Sequence, residues 1–155
     1  RRMHRWNKTL QLSADFIRVI NDIDFKVNML GITESWCGDA AHNLPVFHKI
    51  TQENPNFSLR LILRDEHEEV IDAYLTNGGR SIPKIIGFTE EGEELFTWGP
   101  RPEPAQRLYT AGKAAGKPYS DLASELQSYY NQDKGKTVMN ELRYLLGLLK
   151  EKSPV

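Results

Sequence analysis

The sequence predicts an α/β fold, a small mixed sheet of about four strands with helices on both faces. Three observations carry that expectation. Apolar residues change period along the chain in the order helix, strand, helix, strand, helix, two strands, then helices. The last two strand-like runs are joined through Glu91-Gly92 and read as an antiparallel hairpin. Turn and breaker residues, among them Asn54-Pro55, Asn77-Gly78-Gly79 and Gly99-Pro100, fall between the periodic segments and not within them.

Leu10, Leu12, Phe16, Ile17, Ile20 and Ile23 recur at largely helical spacing, which predicts an amphipathic N-terminal helix over about 8–22. Phe25 to Ile32 is apolar-rich and partly alternating, a strand leading into the turn that carries Cys37. Ala41, Leu44, Val46, Phe47 and Ile50 mark the face of the next helix. It is expected to end near Asn54-Pro55, since proline cannot continue the hydrogen-bond ladder. Ser58 to Arg64 has the aliphatic run of a buried strand. Asp65 with Glu68 resembles a capping box ahead of a helix bearing Val70, Ile71, Tyr74 and Leu75, stopped by Asn77-Gly78-Gly79. The hairpin pairs Lys84 to Phe88 with Glu94 to Trp98, and Gly99 to Pro104 forms a rigid exit loop. From Ala105 the chain reads as helical, broken at Gly116-Lys117-Pro118 and near Gly135. The stripe Leu142, Leu145, Leu146 and Leu149 on its last segment serves either the core or a partner surface such as a homodimer contact.

The chain of 155 residues suits a single domain able to bury a core without metal or disulfide staples. Twenty basic against twenty-one acidic residues give no general electrostatic attraction for nucleic acid or a membrane surface. No apolar stretch approaches the roughly eighteen residues that span a bilayer, so the chain reads as soluble. It opens on Arg1-Arg2 and not on methionine, so a leader upstream lies beyond what these residues show. The compartment stays open, with the cytoplasm as the default reading.

Cys37 is the only cysteine, in Trp36-Cys37-Gly38-Asp39-Ala40. A cysteine in a strand-to-helix turn lies near unpaired N–H groups and the positive end of the helix dipole, and both favour the thiolate. Asp39 two residues on opposes that effect with a carboxylate of comparable influence. In a Cys-x-x-Cys pair the second thiol resolves a mixed disulfide, and here Ala40 holds its place, so no internal disulfide can close. His42 lies about 500° around the helix from Cys37 and points away from it. His48 and His67 read as exposed, His4 belongs to the N-terminal tail, and no ligand spacing beside Cys37 suggests a metal.

Trp36-Cys37-Gly38 after the first strand, Pro45 eight residues beyond Cys37, Ile82-Pro83 before the hairpin, Gly92 in its turn and Gly99 after it together resemble the thioredoxin fold over about 24–108. The N-terminal helix and a C-terminal helical extension over about 109–152 complete that reading. A tighter resemblance is to the atypical thioredoxin-like group with a Trp-Cys-Gly-Asp-Ala motif in place of Cys-x-x-Cys. That group also carries the strings standing here at Asn77 to Pro83 and Thr97 to Pro102. The resemblance implies a kinked active-site helix at Pro45 and a cis bond at Ile82-Pro83 that presents Ile82 to an extended ligand. The chain departs from redox-active thioredoxins together at Ala40, at Asp39 where proline is usual, and at Gly31 where a buried aspartate serves the resolving cysteine.

Two functions follow. In the reading the sequence favours, Cys37 performs thiol–disulfide exchange or forms a mixed disulfide with a protein, a peptide or glutathione, and an external thiol completes the cycle. In the alternative, a redox-inert module recognises a peptide, protein or small anion at the cis-proline groove. Trp36, Gly38, Asp39, Ile82, Pro83 and Arg80 are the expected binding residues, and no bound cofactor is called for. The plainer expectations are that Cys37 packs as a small residue beneath Trp36 and Pro83, Asp39 is a first-turn carboxylate, and Trp36 and Trp98 are packing residues. Arg64, Arg80 and Arg101 would form an anion site if they converged near Cys37, with solvated arginine as the plainer reading, favoured for Arg64.

Overall fold

The computed structural model describes residues 10–149. His4 and the outermost residues of the two expected terminal helices lie outside that range. The sheet has four strands in the order β2-β1-β3-β4. β1 (Val27–Thr33) runs parallel to β2 (Phe57–Leu63) and antiparallel to β3 (Lys84–Phe88), which pairs antiparallel with β4 (Glu94–Trp98). The mixed sheet flanked by helices agrees with the sequence reading, and the hairpin strands agree residue for residue.

The first helix is shorter than its periodicity suggests. α1 covers Ala14–Asn21, and Leu10 and Leu12 lie in its non-helical approach. Ser13 sets the start, because its extended backbone turns the hydroxyl back to accept the Phe16 N–H at 3.2 Å. Ser13→Ala is expected to lower stability by about 1 kcal/mol in urea denaturation. An unchanged midpoint would show that the cap contributes nothing.

α2 (Gly38–Glu53) begins at Cys37, contains Pro45, and stops at Asn54. Asn54 also ties the helix end to α1, donating from Nδ2 to the carbonyls of Ile20 and Ile23 at 2.8 and 3.0 Å. Two expectations fail in the following segment. β2 is not a buried strand: it ends the sheet, and Leu61 and Leu63 are 48% and 38% exposed. The capping box does not form either, since Asp65 instead accepts from Arg64 Nε at 3.0 Å and gives its N–H to Glu34. A 3-10 turn (Arg64–Glu66) and the four-residue α3 (Glu68–Ile71) replace the longer helix, leaving Tyr74 and Leu75 outside it. Asn77 and Gly78, both at positive φ, then make a tight turn closed by a Thr76–Gly79 bridge, and do not end a helix.

The C-terminal region forms α4 (Glu103–Ala114), α5 (Tyr119–Asp133) and α6 (Lys136–Leu149), with breaks where glycine and proline predict them. α6 packs against α1 and α2, and Leu142, Leu146 and Leu149 join Phe16, Ile20 and Phe47 in the main core. The apolar stripe of α6 is therefore core. α4 and α5 pack on each other around a second small cluster centred on Ala105 and Tyr130. Glu141 of α6 fastens the junction, accepting from the Trp98 indole N–H and the Glu103 N–H, each at 2.8 Å. Gly99, at φ +120°, lets the end of β4 pass so close to Pro83 that a Cβ there would lie 2.2 Å from the Pro83 carbonyl oxygen.

Candidate functional site around Cys37

Cys37 caps α2 with its sulfur, which accepts the Ala40 N–H at 3.4 Å. The thiol in turn donates to the Ile82 carbonyl at 3.5 Å, and the Ile82-Pro83 bond is cis. Both residues of that dipeptide are buried, as is Cys37 at 9% exposure. Burial pushes the Cys37 thiol above its ordinary 9.0, and the Asp39 charge adds to the rise. The Ala40 and Asp39 N–H groups and the Arg101 cation pull the other way without reversing it. The sequence weighs helix start against carboxylate; the larger contribution, desolvation, comes from tertiary packing.

At Gly31, where the resemblance places a buried acid, any side chain would displace Leu61. A Cβ there would lie 2.7 Å from Leu61 Cδ2 and 3.2 Å from Ile85 Cδ1. Ala40, at the place of a resolving thiol, is 1% exposed.

Asp39 is far more than a first-turn carboxylate. Its side chain is 12% exposed, and its two oxygens are divided between Arg101 Nε at 3.0 Å and the Tyr130 hydroxyl at 2.5 Å. Asn43 completes the circuit, donating from Nδ2 to the Asp39 carbonyl at 2.9 Å and to the Tyr130 oxygen at 3.0 Å. Burial, then the adjacent Asp39 charge, drive the Tyr130 pKa far upward, so its hydroxyl remains a donor. His42 stacks on Tyr130 with centroids 4.5 Å apart and meets Gln127 Oε1 at 3.1 Å. Arg101 lies over the Tyr109 ring at 3.9 Å and also donates to Gln106 at 3.0 Å. The start of α2 is thus bolted to α4 and α5 by a buried polar network.

The three arginines do not gather at Cys37. Only Arg101 reaches the start of α2. Arg80 pairs with Asp72 at 2.7 Å and Glu68 at 3.1 Å, and Arg64 pairs with Asp65 while donating to the Arg80 carbonyl at 3.1 Å. Each guanidinium is already matched by carboxylate. Trp36 is not a packing residue: it is 65% exposed, with the Arg64 guanidinium 5.4 Å from its ring centre. Trp98 is buried and packs tilted against Phe47.

Two cavities adjoin this motif. An open groove of about 590 Å³ is lined by Trp36, Cys37, Ala40, Leu44, Leu61 and Leu63, among others. A second cavity of about 300 Å³ lies between the start of α2 and the α4–α5 pair, with Trp36 and Gly38 as walls in common with the groove. Tyr130, Asn43, Gln127 and Tyr109 carried no signal in the sequence, because Tyr130 meets Asp39 across 91 positions. Among the described residues no group of three or more His, Cys, Asp or Glu is placed to hold a metal ion, and no helix is long and apolar enough to cross a membrane.

Comparison with known proteins adds the following. A family model described as thioredoxin matches residues 1–115. A crystal structure of a Pseudomonas aeruginosa protein of unknown function is 18% identical, with a TM-score of 0.71 over 94% of this chain and 81% of that one. An HIV epitope scaffold is also 18% identical, with a TM-score of 0.68 over 94% and 82%. Fasciola hepatica thioredoxin is 20% identical and overlaps 58% of this chain and 83% of its own, with a TM-score of 0.40. No curated protein matches.

Proposed function

The chain belongs to the thioredoxin family, and from that premise we propose that it is a binding module, holding an extended protein or peptide segment in the groove beside Cys37 without thiol exchange. The observation that carries this reading is the state of the sulfur. Exchange runs through a thiolate that attacks one sulfur of a disulfide and is later released by a second thiol. Cys37 is buried, gives its proton to the Ile82 carbonyl, and titrates above an ordinary cysteine, so the attacking species is scarce at neutral pH. Ala40 supplies no second thiol within the motif.

The groove supports the binding half of the reading. Among the described residues the outer edge of β2 has no strand partner, so its free N–H and C=O groups suit an added strand. Leu61 and Leu63, two apart on β2 and hence on one face, line the groove together with Trp36, Cys37 and Leu44. Main-chain pairing would supply affinity, and the apolar walls would choose the side chains.

Incubation with oxidised glutathione at neutral pH is expected to leave the intact mass unchanged. Titration with pooled extended peptides is expected to shift the Leu61 and Leu63 methyl and Trp36 indole resonances. Cys37→Ser should retain those shifts, and Leu61→Arg should abolish them. A glutathione adduct forming as fast as on a free thiol would return the assignment to monothiol exchange, and unmoved groove resonances would remove the binding site.

A further inference from the structure

We propose that the cavity between the start of α2 and the α4–α5 pair is a second binding site, which takes an uncharged planar aromatic ring. This cavity is separate from the groove beside Cys37, and the two share only Trp36 and Gly38. At about 300 Å³ it sits at the small end of ligand pockets, right for one ring system or one large side chain.

Five aromatic side chains stand in its walls, Trp36, His42, Tyr109, Tyr119 and Tyr130. Such rings favour another ring through offset-stacked and edge-to-face contacts. Leu122, Ala123 and Leu126 of α5 supply apolar wall between them. Trp36 and Tyr119, 65% and 80% exposed, leave ring surface accessible at this cavity.

Charge decides the rest. Asp39 and Arg101, which both line the cavity, are bonded to each other at 3.0 Å with 12% and 11% of their surfaces exposed. An anionic ligand would compete with Asp39 for Arg101, and a cationic one would compete with Arg101 for Asp39. Each charge has the opposite one bonded beside it, so a ligand of either sign meets no uncompensated charge here. The Tyr130 proton is committed to Asp39, and Gln127 is engaged by His42 and by Asn131. A neutral ring asks none of these groups to change partner.

The full chain is titrated with p-cresol, followed by the Trp36 indole N–H resonance and by the resonances of Tyr119 and Leu126. Saturable changes at those positions are expected, with 4-methylcyclohexanol, similar in size but saturated, about tenfold weaker. p-Toluate and 4-methylbenzylamine should also bind more weakly than p-cresol. Ala123→Trp, which fills the cavity from α5, should weaken p-cresol at least about tenfold at unchanged melting temperature. Should that variant unfold, Tyr119→Ala, at an exposed position, should weaken it severalfold. Equal binding by the saturated or charged analogues, or p-cresol binding untouched in a folded Ala123→Trp chain, overturns the proposal. A tyrosine-containing extended peptide that shifts Leu61 and the cavity together identifies a protein segment as the source of the ring. p-Cresol alone, with Leu61 unmoved, identifies a free small molecule.

Discussion

Replacing Asp39 with alanine is expected to lower the unfolding free energy by about 3–5 kcal/mol, measured by urea denaturation, because it strands the Arg101 guanidinium in a site nearly sealed from water. The same change leaves the Tyr130 hydroxyl without its acceptor. Asp39→Asn keeps an acceptor for Tyr130 and loses only the charge, so it should destabilise less. Arg101→Ala removes the stranded cation, and the double variant should therefore be far less unstable than the sum of the single ones. A loss below about 1 kcal/mol, the range of a solvent-screened surface pair, would show that Asp39 does not anchor the C-terminal helices.

Alkylation of Cys37 in the native chain at neutral pH is expected to be roughly ten- to a hundredfold slower than in the unfolded chain, because the buried sulfur reacts only through local opening and through its minor thiolate form. The pH dependence has a definite sign. The folded-state pKa is raised, so above about 9 the unfolded chain loses the thiol proton while the native chain keeps it. Cys37 therefore contributes stability that is fully present below that pH and is lost as pH rises towards the folded pKa. Cys37→Ser should remove this part of the alkaline decline in urea midpoint. Native alkylation as fast as that of the unfolded chain would contradict the burial of the sulfur and the binding function built on it.

Hairpin and helix breaks were legible because they rest on local rules. Strand alternation, Gly92 in a turn and Gly116-Lys117-Pro118 between helices act within a few residues of themselves. The misreadings have two physical origins, one local and one tertiary. Leu10 and Leu12 fit a helical period, yet Ser13 competes locally for the first helical N–H groups and wins. Leu59, Leu61 and Leu63 look like a buried strand, yet their exposure depends on which strand ends the sheet. Trp36 reads as a packing residue, and only the fold shows that the turn before α2 leaves it exposed.

Sequence alone determined the thioredoxin order of elements, the single cysteine at the start of α2, and the absence of a second thiol at position 40, since covalent identity and local periodicity need no distant partner. Only the tertiary structure decided how Cys37 titrates and what Asp39 does. Burial of the sulfur is the largest cause of its raised pKa, and burial, like the partners Arg101 and Tyr130 of Asp39, comes from residues brought in along more than forty positions of chain.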